Sequence, residues 1–157
     1  MPRGFAAIVE ALRQSYAVVN GLLRSRGLRA TRASRLILAR LRQSNDHLSA
    51  EEVQRALRRR GHRVSIATLY QNLKRLTEAG LLVSFADSDG LVRFDANTAP
   101  HAHLVCSTCG RILDVAPSAA PVERLAAALP KPARRYRGWS IRSTRLELCG
   151  LCPDCRR

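Results

Sequence analysis

Residues 101–115, HAHLVCSTCGRILDV, bring two histidines, two cysteines and an aspartate into fifteen positions. The chain closes on LCGLCPDCRR, which holds the other three cysteines. Cys106 and Cys109 form one C-x-x-C pair, and Cys152 and Cys155 form another about forty residues later. A C-x-x-C turn points two thiolates at one ion, and two such turns complete a tetrahedral four-cysteine zinc site. Four thiolates leave no open position on the ion, so the chemistry expected is structural and not catalytic. A redox dithiol is the competing reading. It is disfavoured because two pairs occur and neither precedes a helix in a thioredoxin-like context. Cys149 is a fifth thiol where zinc needs four, and it reads as a strand residue. His101 and His103 lie two apart, which on a strand puts both imidazoles on one face. That arrangement is half of a second metal site or a pair of solvent-facing histidines, and spacing alone leaves both open.

The bulk properties bound what these groups can serve. The chain has 157 residues and a formal net charge of +15, from 27 basic and 12 acidic side chains. Such an excess points to a polyanionic partner, with nucleic acid first. Arginine outnumbers lysine heavily, a bias that coding composition can produce, but it does not account for the scarcity of acids. Hydrophobic residues make up 46% and aromatics only 4%. A small core of that kind often needs a metal staple or an oligomer interface. No apolar run approaches the roughly 18 residues of a membrane span. MPRGFAAIVEALRQ carries an acid in its apolar part and has no small-residue cleavage site, so it does not read as a signal peptide. A cytoplasmic protein is expected. In that reducing setting, paired cysteines read as metal ligands before disulfides.

The elements that must position these groups follow from periodicity and caps. Phe5, Ile8, Leu12, Tyr16, Val19 and Leu23 recur at helical spacing, and Gly27 ends that run. A second helix starts from Thr31 as N-cap and turns Leu36, Ile37, Leu38 and Leu41 inward. A third opens on Ser49 with Glu52 three residues later, a capping box, and closes on Gly61. A fourth opens on Ser65 and closes on Gly80. LLVSFADSDGLVRFD then reads as strand, turn, strand. Three helices and a hairpin over residues 28–95 give the order of a winged helix-turn-helix, whose last helix enters the major groove. Residues 96–100, ANTAP, read as a hinge. Beyond it, 101–106 and 111–115 read as short strands, PSAAPVERLAAALP as a helix and WSIRSTRLELCG as a long strand. This second unit would expose apolar strand faces alone, and pairing with a second copy would cover them. The fold class expected is α+β. It comprises a DNA-binding domain over 1–95, with 1–18 as an extension, and a zinc-stapled α/β dimerisation domain over 101–157.

Taken together, GLRATRASRLIL, VSIATLYQNLKRLTEAGLL, RFD before HAHLVCSTCGRILDV, and LELCGLCPDC resemble the ferric uptake regulator (Fur) family of bacterial metal-dependent repressors, over residues 20–155. The resemblance implies a homodimer that binds an operator in double-stranded DNA, and no small-molecule substrate. It also implies a regulatory metal site. In the peroxide-sensing branch that site uses three histidines and two aspartates. Carried onto this chain these are His47, Asp95, His101, His103 and Asp114, all of matching type. His62 matches no ligand. Many members carry a histidine where this chain has Thr144, so a further metal site on the dimerisation domain is expected to be missing or weak. Gln71 follows Tyr70 where arginine is common, which implies a different base preference.

On that resemblance, one ion drawing on all five residues would fix the angle between the two DNA-binding domains of the dimer. It would favour DNA by binding the competent geometry better than the open one. Tyr70, with Thr68 and Gln71, is expected to read base edges, and Arg29, Lys74 and Arg75 to engage phosphates. A nitrogen and carboxylate set without thiolate suits ferrous iron or manganese better than a soft-ligand zinc sensor. In the peroxide-sensing branch, bound iron reacts with peroxide and a histidine ligand is oxidised. Other readings are a zinc-uptake regulator of the same family and a thiol-based switch through Cys149. A metallohydrolase lacks a general acid or base beside the site, so the chain is not expected to be an enzyme.

Overall fold

A computed structural model describes residues 16–43, 47–87, 89–99, 101–115, 138 and 146–156. The chain forms two compact units, Met1–Thr98 and Ala99–Arg157. No helix among the described residues is long and apolar enough to cross a membrane.

The first unit is built by local signals. Helix α1 covers residues 16–25, and the part of the expected first helix before residue 16 lies outside the described residues. Helix α2 is Arg32–Arg42, opened by Thr31, whose side chain accepts the Ser34 N–H at 3.1 Å. Helix α3 is Ala50–Arg59. Its capping box is complete, with Ser49 Oγ accepting the Glu52 N–H at 3.3 Å and Glu52 Oε2 accepting the Ser49 N–H at 2.8 Å. Helix α4 is Ile66–Glu78, capped by Ser65, whose Oγ accepts the Thr68 N–H at 3.2 Å. Helices α3 and α4 stop where Gly61 and Gly80 take φ of +76° and +66°. The next N–H, of His62 or Leu81, then reaches back to Leu57 or Leu76 at 2.9 Å. That closure needs the left-handed region, which glycine enters without a Cβ penalty.

The apolar faces of the four helices meet in one core, centred on Leu23, Ile37, Leu38, Val53, Leu69 and Leu73, all fully buried. Strands β2 (Val83–Ala86) and β3 (Val92–Asp95) form the expected hairpin. A further strand was not legible in the sequence. The two residues Leu48–Ser49 form β1 and pair antiparallel with β3, Leu48 opposite Phe94 and Ser49 opposite Arg93. The sheet order is β1-β3-β2. A two-residue strand carries no periodicity, and it exists only because β3 offers it an edge.

The second unit holds β4 (Ala102–Cys106), β5 (Ile112–Val115) and β6 (Leu146–Gly150) in the order β5-β4-β6. β5 runs antiparallel to β4, and β6 runs parallel to it. The register sets Leu104 between Leu113 and Leu148, and all three leucines are about half exposed. The expected helix at 117–130 and the first half of the expected long strand lie outside the described residues.

Candidate metal centres and DNA-binding face

The four-cysteine set is assembled by two turns at neighbouring strand ends. After β4 the chain reverses through Gly110, whose φ is +67° and whose N–H donates to the Cys106 carbonyl at 2.9 Å. After β6 the N–H groups of Cys155 and Arg156 both donate to the Cys152 carbonyl at 3.0 Å. The parallel register places Cys106 opposite Gly150, so the second turn starts beside the first. The sulfurs of Cys106, Cys109, Cys152 and Cys155 lie within 4.8 Å of one another. Cys109 Sγ and Cys152 Sγ are 3.8 Å apart. The Cys152 N–H donates to Cys106 Sγ at 3.3 Å. That bond, with others from the Cys109 and Thr108 backbone, lowers the Cys106 thiol to about 6. Cys155 is pushed up to about 12, because it hydrogen-bonds to Cys152 and Cys109 beside the Cys106 sulfur. A cradle that favours one thiolate and crowds the remaining sulfurs fits a divalent ion that draws the thiolates together. Cys149 stays outside this set, exposed on β6 opposite Val105.

The same unit gathers a second donor set. His103 on β4 faces Asp114 on β5 in register, and His101 precedes β4 by one residue. His101 Nε2 and His103 Nε2 are 2.8 Å apart, and they lie 3.4 and 3.7 Å from Asp114 Oδ1. The two rings meet edge to face. His101 Nδ1 is 2.7 Å from the Ala99 carbonyl. A backbone acceptor on that nitrogen places the proton there and leaves Nε2 as a donor to a metal.

The first unit contributes a smaller set of its own. β1 sets His47 against the end of β3, with Nε2 3.7 Å from Asp95 Oδ2. Both residues are buried. The His47 ring packs at a tilt on Phe85, and Asp95 Oδ1 accepts the Asn97 N–H at 2.7 Å. Buried imidazole and carboxylate groups held in this way offer hard oxygen and borderline nitrogen donors, suited to ferrous or manganous ions.

The family-wide comparisons agree with this ligand chemistry. The family model described as the ferric uptake regulator family matches residues 25–149. The chain belongs to the ferric uptake regulator family. It is a metal-dependent repressor of that family, a transcription regulator and not an enzyme. The peroxide-responsive repressor PerR of Staphylococcus aureus is 33% identical over 135 residues, covering 85% of this chain and 86% of that protein. The ferric uptake regulator of Pseudomonas aeruginosa, solved with manganese, is 30% identical, with a TM-score of 0.67 over 87% of this chain and 98% of that one. The Vibrio cholerae ferric uptake regulator is 27% identical, with a TM-score of 0.62 over 85% and 98%. Fur family members are dimeric DNA-binding repressors. The two kinds of ligand group in this chain, four cysteines and a set of histidines and aspartates, are consistent with structural zinc and regulatory iron or manganese.

The residues expected to meet DNA fall in two environments. On α4, Tyr70, Gln71, Lys74 and Arg75 are exposed on one side, opposite the buried Leu69, Leu73 and Leu76. Arg29 is exposed just ahead of α2. Thr68 is half-buried, and its Oγ1 accepts the Ser65 hydroxyl at 2.8 Å, so it serves the cap. Sequence reasoning missed Glu51. The Tyr70 hydroxyl donates to Glu51 Oε1 at 2.8 Å, which holds the Glu51 carboxyl below its ordinary value and raises the Tyr70 phenol. The signal was available only as a second acid in the first turn of α3. Its meeting with Tyr70 spans 19 residues of chain.

Proposed function

We propose that this protein is a cytoplasmic, zinc-stapled homodimeric repressor whose grip on operator DNA tightens when ferrous or manganous ion binds His47, Asp95, His101, His103 and Asp114 together. The observation that carries this reading is that each unit holds an incomplete set. His47 and Asp95 belong to the first unit, and His101, His103 and Asp114 to the second. Two donors, or three, fall short of what a hard divalent ion takes, and five approach it. An ion that recruits both sets restrains the hinge at 96–100. Restraint favours DNA because a dimer must present both recognition helices one helical turn, or a multiple, apart. Tyr70 and Gln71 then face base edges, and Arg29, Lys74 and Arg75 face phosphates. The half-exposed row of Leu113, Leu104 and Leu148 gives the second unit an apolar face of the kind a partner copy covers. Cys106, Cys109, Cys152 and Cys155 hold the zinc that keeps that unit folded.

The test places one substitution on each unit. His47→Ala and Asp114→Ala should each leave a folded, zinc-loaded dimer that no longer gains DNA affinity from added manganese. Full gain retained by His47→Ala would show that the second unit binds the ion unaided, and the shared-ion reading would fall.

A peroxide-sensing role is favoured by one specific point, the 33% identity to a peroxide-responsive repressor. It is joined by Asp114, the aspartate of that branch. Iron-loaded protein treated with peroxide should then gain one oxygen on His47 or His101, and manganese-loaded protein should not. Oxygen found only on cysteines would instead support a thiol switch. A response to zinc alone would make the protein a zinc-uptake regulator.

A further inference from the structure

Arg93, on β3, has no place in the ligand set or on the recognition helix, yet its guanidinium joins three separate parts of the first unit. Its Nη1 donates to the His47 carbonyl at 2.9 Å and to Glu52 Oε2 at 2.9 Å, and its Nε donates to Asp87 Oδ2 at 2.7 Å. The side chain is only 17% exposed, and that of Asp87 only 5%. Charge-assisted bonds of this length and burial are the strong ones. Each partner belongs to a different functional part. His47 is a candidate metal ligand. Glu52 completes the capping box that fixes the start of α3. Asp87 organises the tip of the hairpin, where its Oδ1 accepts the N–H groups of Asp89 and Leu91 at 3.0 and 2.9 Å. Burial alone would raise the Asp87 carboxyl, but the Arg93 hydrogen bond and those two N–H groups outweigh it and hold the group below its ordinary value. Asp87 is therefore an ionised, committed partner.

We propose that Arg93 is a positioning residue that transmits the state of His47 to the wing, so that metal occupancy is read at the hairpin tip as well as through the hinge. The proposal rests on the reading of His47 as a regulatory ligand. The physical argument is the geometry of one planar group. A guanidinium presents its donors in a rigid fork, so a shift of the His47 backbone on metal binding rotates the bonds to Glu52 and Asp87 together. Lysine, with a single nitrogen on a flexible stem, cannot hold the three directions at once. Groups that orient a metal ligand typically alter metal affinity by ~10–100-fold when removed. The Asp87 leg bears on the wing and not on the ligand, so the two functions can be separated.

The experiment uses the full-length zinc-loaded dimer and a DNA duplex selected from a random-sequence library on the manganese-loaded wild type. Manganese affinity is measured without DNA, and DNA affinity is measured with and without manganese, for wild type, Arg93→Lys and Asp87→Asn. Asparagine can still accept the two turn N–H groups, so Asp87→Asn loosens the link to Arg93 and keeps the turn. Arg93→Lys should lower manganese affinity about tenfold or more. It should also shrink the manganese-driven gain in DNA affinity, ordinarily about 5–150-fold for coupled sites, to threefold or less. Asp87→Asn should leave manganese affinity unchanged and still lose most of the gain. A purely structural role would instead weaken DNA binding equally with and without manganese. If both variants keep the wild-type gain, the proposal is wrong. If Arg93→Lys loses the gain and Asp87→Asn keeps it, transmission to the wing is wrong. If wild type itself gains nothing from manganese or iron, the metal-dependent reading fails first and takes the proposal with it.

Discussion

Stripping the zinc with a chelator, or replacing Cys152 with serine, leaves the turns after β4 and β6 joined only by weaker contacts, among them the Ser107 N–H to the Gly150 carbonyl at 2.8 Å and the exposed Arg111–Asp154 pair at 3.1 Å. Among the described residues, the second unit buries four apolar side chains, Ala102, Val105, Cys106 and Ile112. At ~1.5–3 kcal/mol for a fully buried valine or isoleucine, and less for the two small residues, that burial contributes about 4–8 kcal/mol. Structural zinc contributes on the order of 10 kcal/mol, which exceeds it. The first unit has sixteen residues in its buried core and no cysteine. Zinc removal should therefore unfold the β4–β5–β6 sheet and leave the first unit folded. Hydrogen exchange read by mass spectrometry would resolve this, with zinc content measured on the same samples. Peptides from 101–115 and 146–156 should lose protection, while α2 and α4 keep theirs. The dimer should dissociate in step. Persistent protection of β4 and β6 in protein shown to be zinc-free would refute the reasoning, as would simultaneous loss in α4.

Three further outcomes follow from the geometry. Leu73→Ala, at a fully buried position of α4, should destabilise the first unit by about 2–5 kcal/mol in denaturant melts, with zinc content unchanged. Apparent zinc affinity should rise with pH by at least about one log unit per pH unit between pH 6.5 and 9. Cys155, at about 12, must still give up a proton to the ion there, whereas Cys106, at about 6, is already a thiolate and adds no slope. Competition with a chromophoric chelator measures this, and a flat profile would contradict the ligand assignment. Glu51→Gln should raise affinity for random DNA at low salt by up to about fivefold, the scale of ~1 kcal/mol for unit charges 4 Å apart in water. No change would place Glu51 off the DNA face.

Most of the first unit was legible in the sequence because its signals are local. Thr31, Ser49 with Glu52, and Ser65 each act within three residues, and each caps the helix expected of it. The hairpin followed from its turn residues. The four-cysteine set was legible for a related reason: each pair is local, and zinc's need for four ligands joins the two pairs across the chain. The His47–Asp95 set was not legible from pattern. It depends on β1, two residues long, which β3 recruits through Leu48 and Phe94. Only the likeness to a known family pointed to those two residues.

Arg93 shows why the remainder stayed hidden. In the sequence it is one basic residue among 27. Its partners lie 6, 41 and 46 residues away, and no periodic or capping rule relates positions at those separations. Tyr70 illustrates the same limit from the other side. Its exposure on α4 agrees with the helical period, but the acid that holds its hydroxyl belongs to another helix. Side chains that report on distant parts of a fold are written into the sequence as ordinary polar residues. What distinguishes Arg93 is burial together with three charge-assisted bonds, and only the packed structure supplies both. Among the described residues, β3 is the one strand of the first unit paired on both sides, to β1 beside His47 and to β2 in the hairpin.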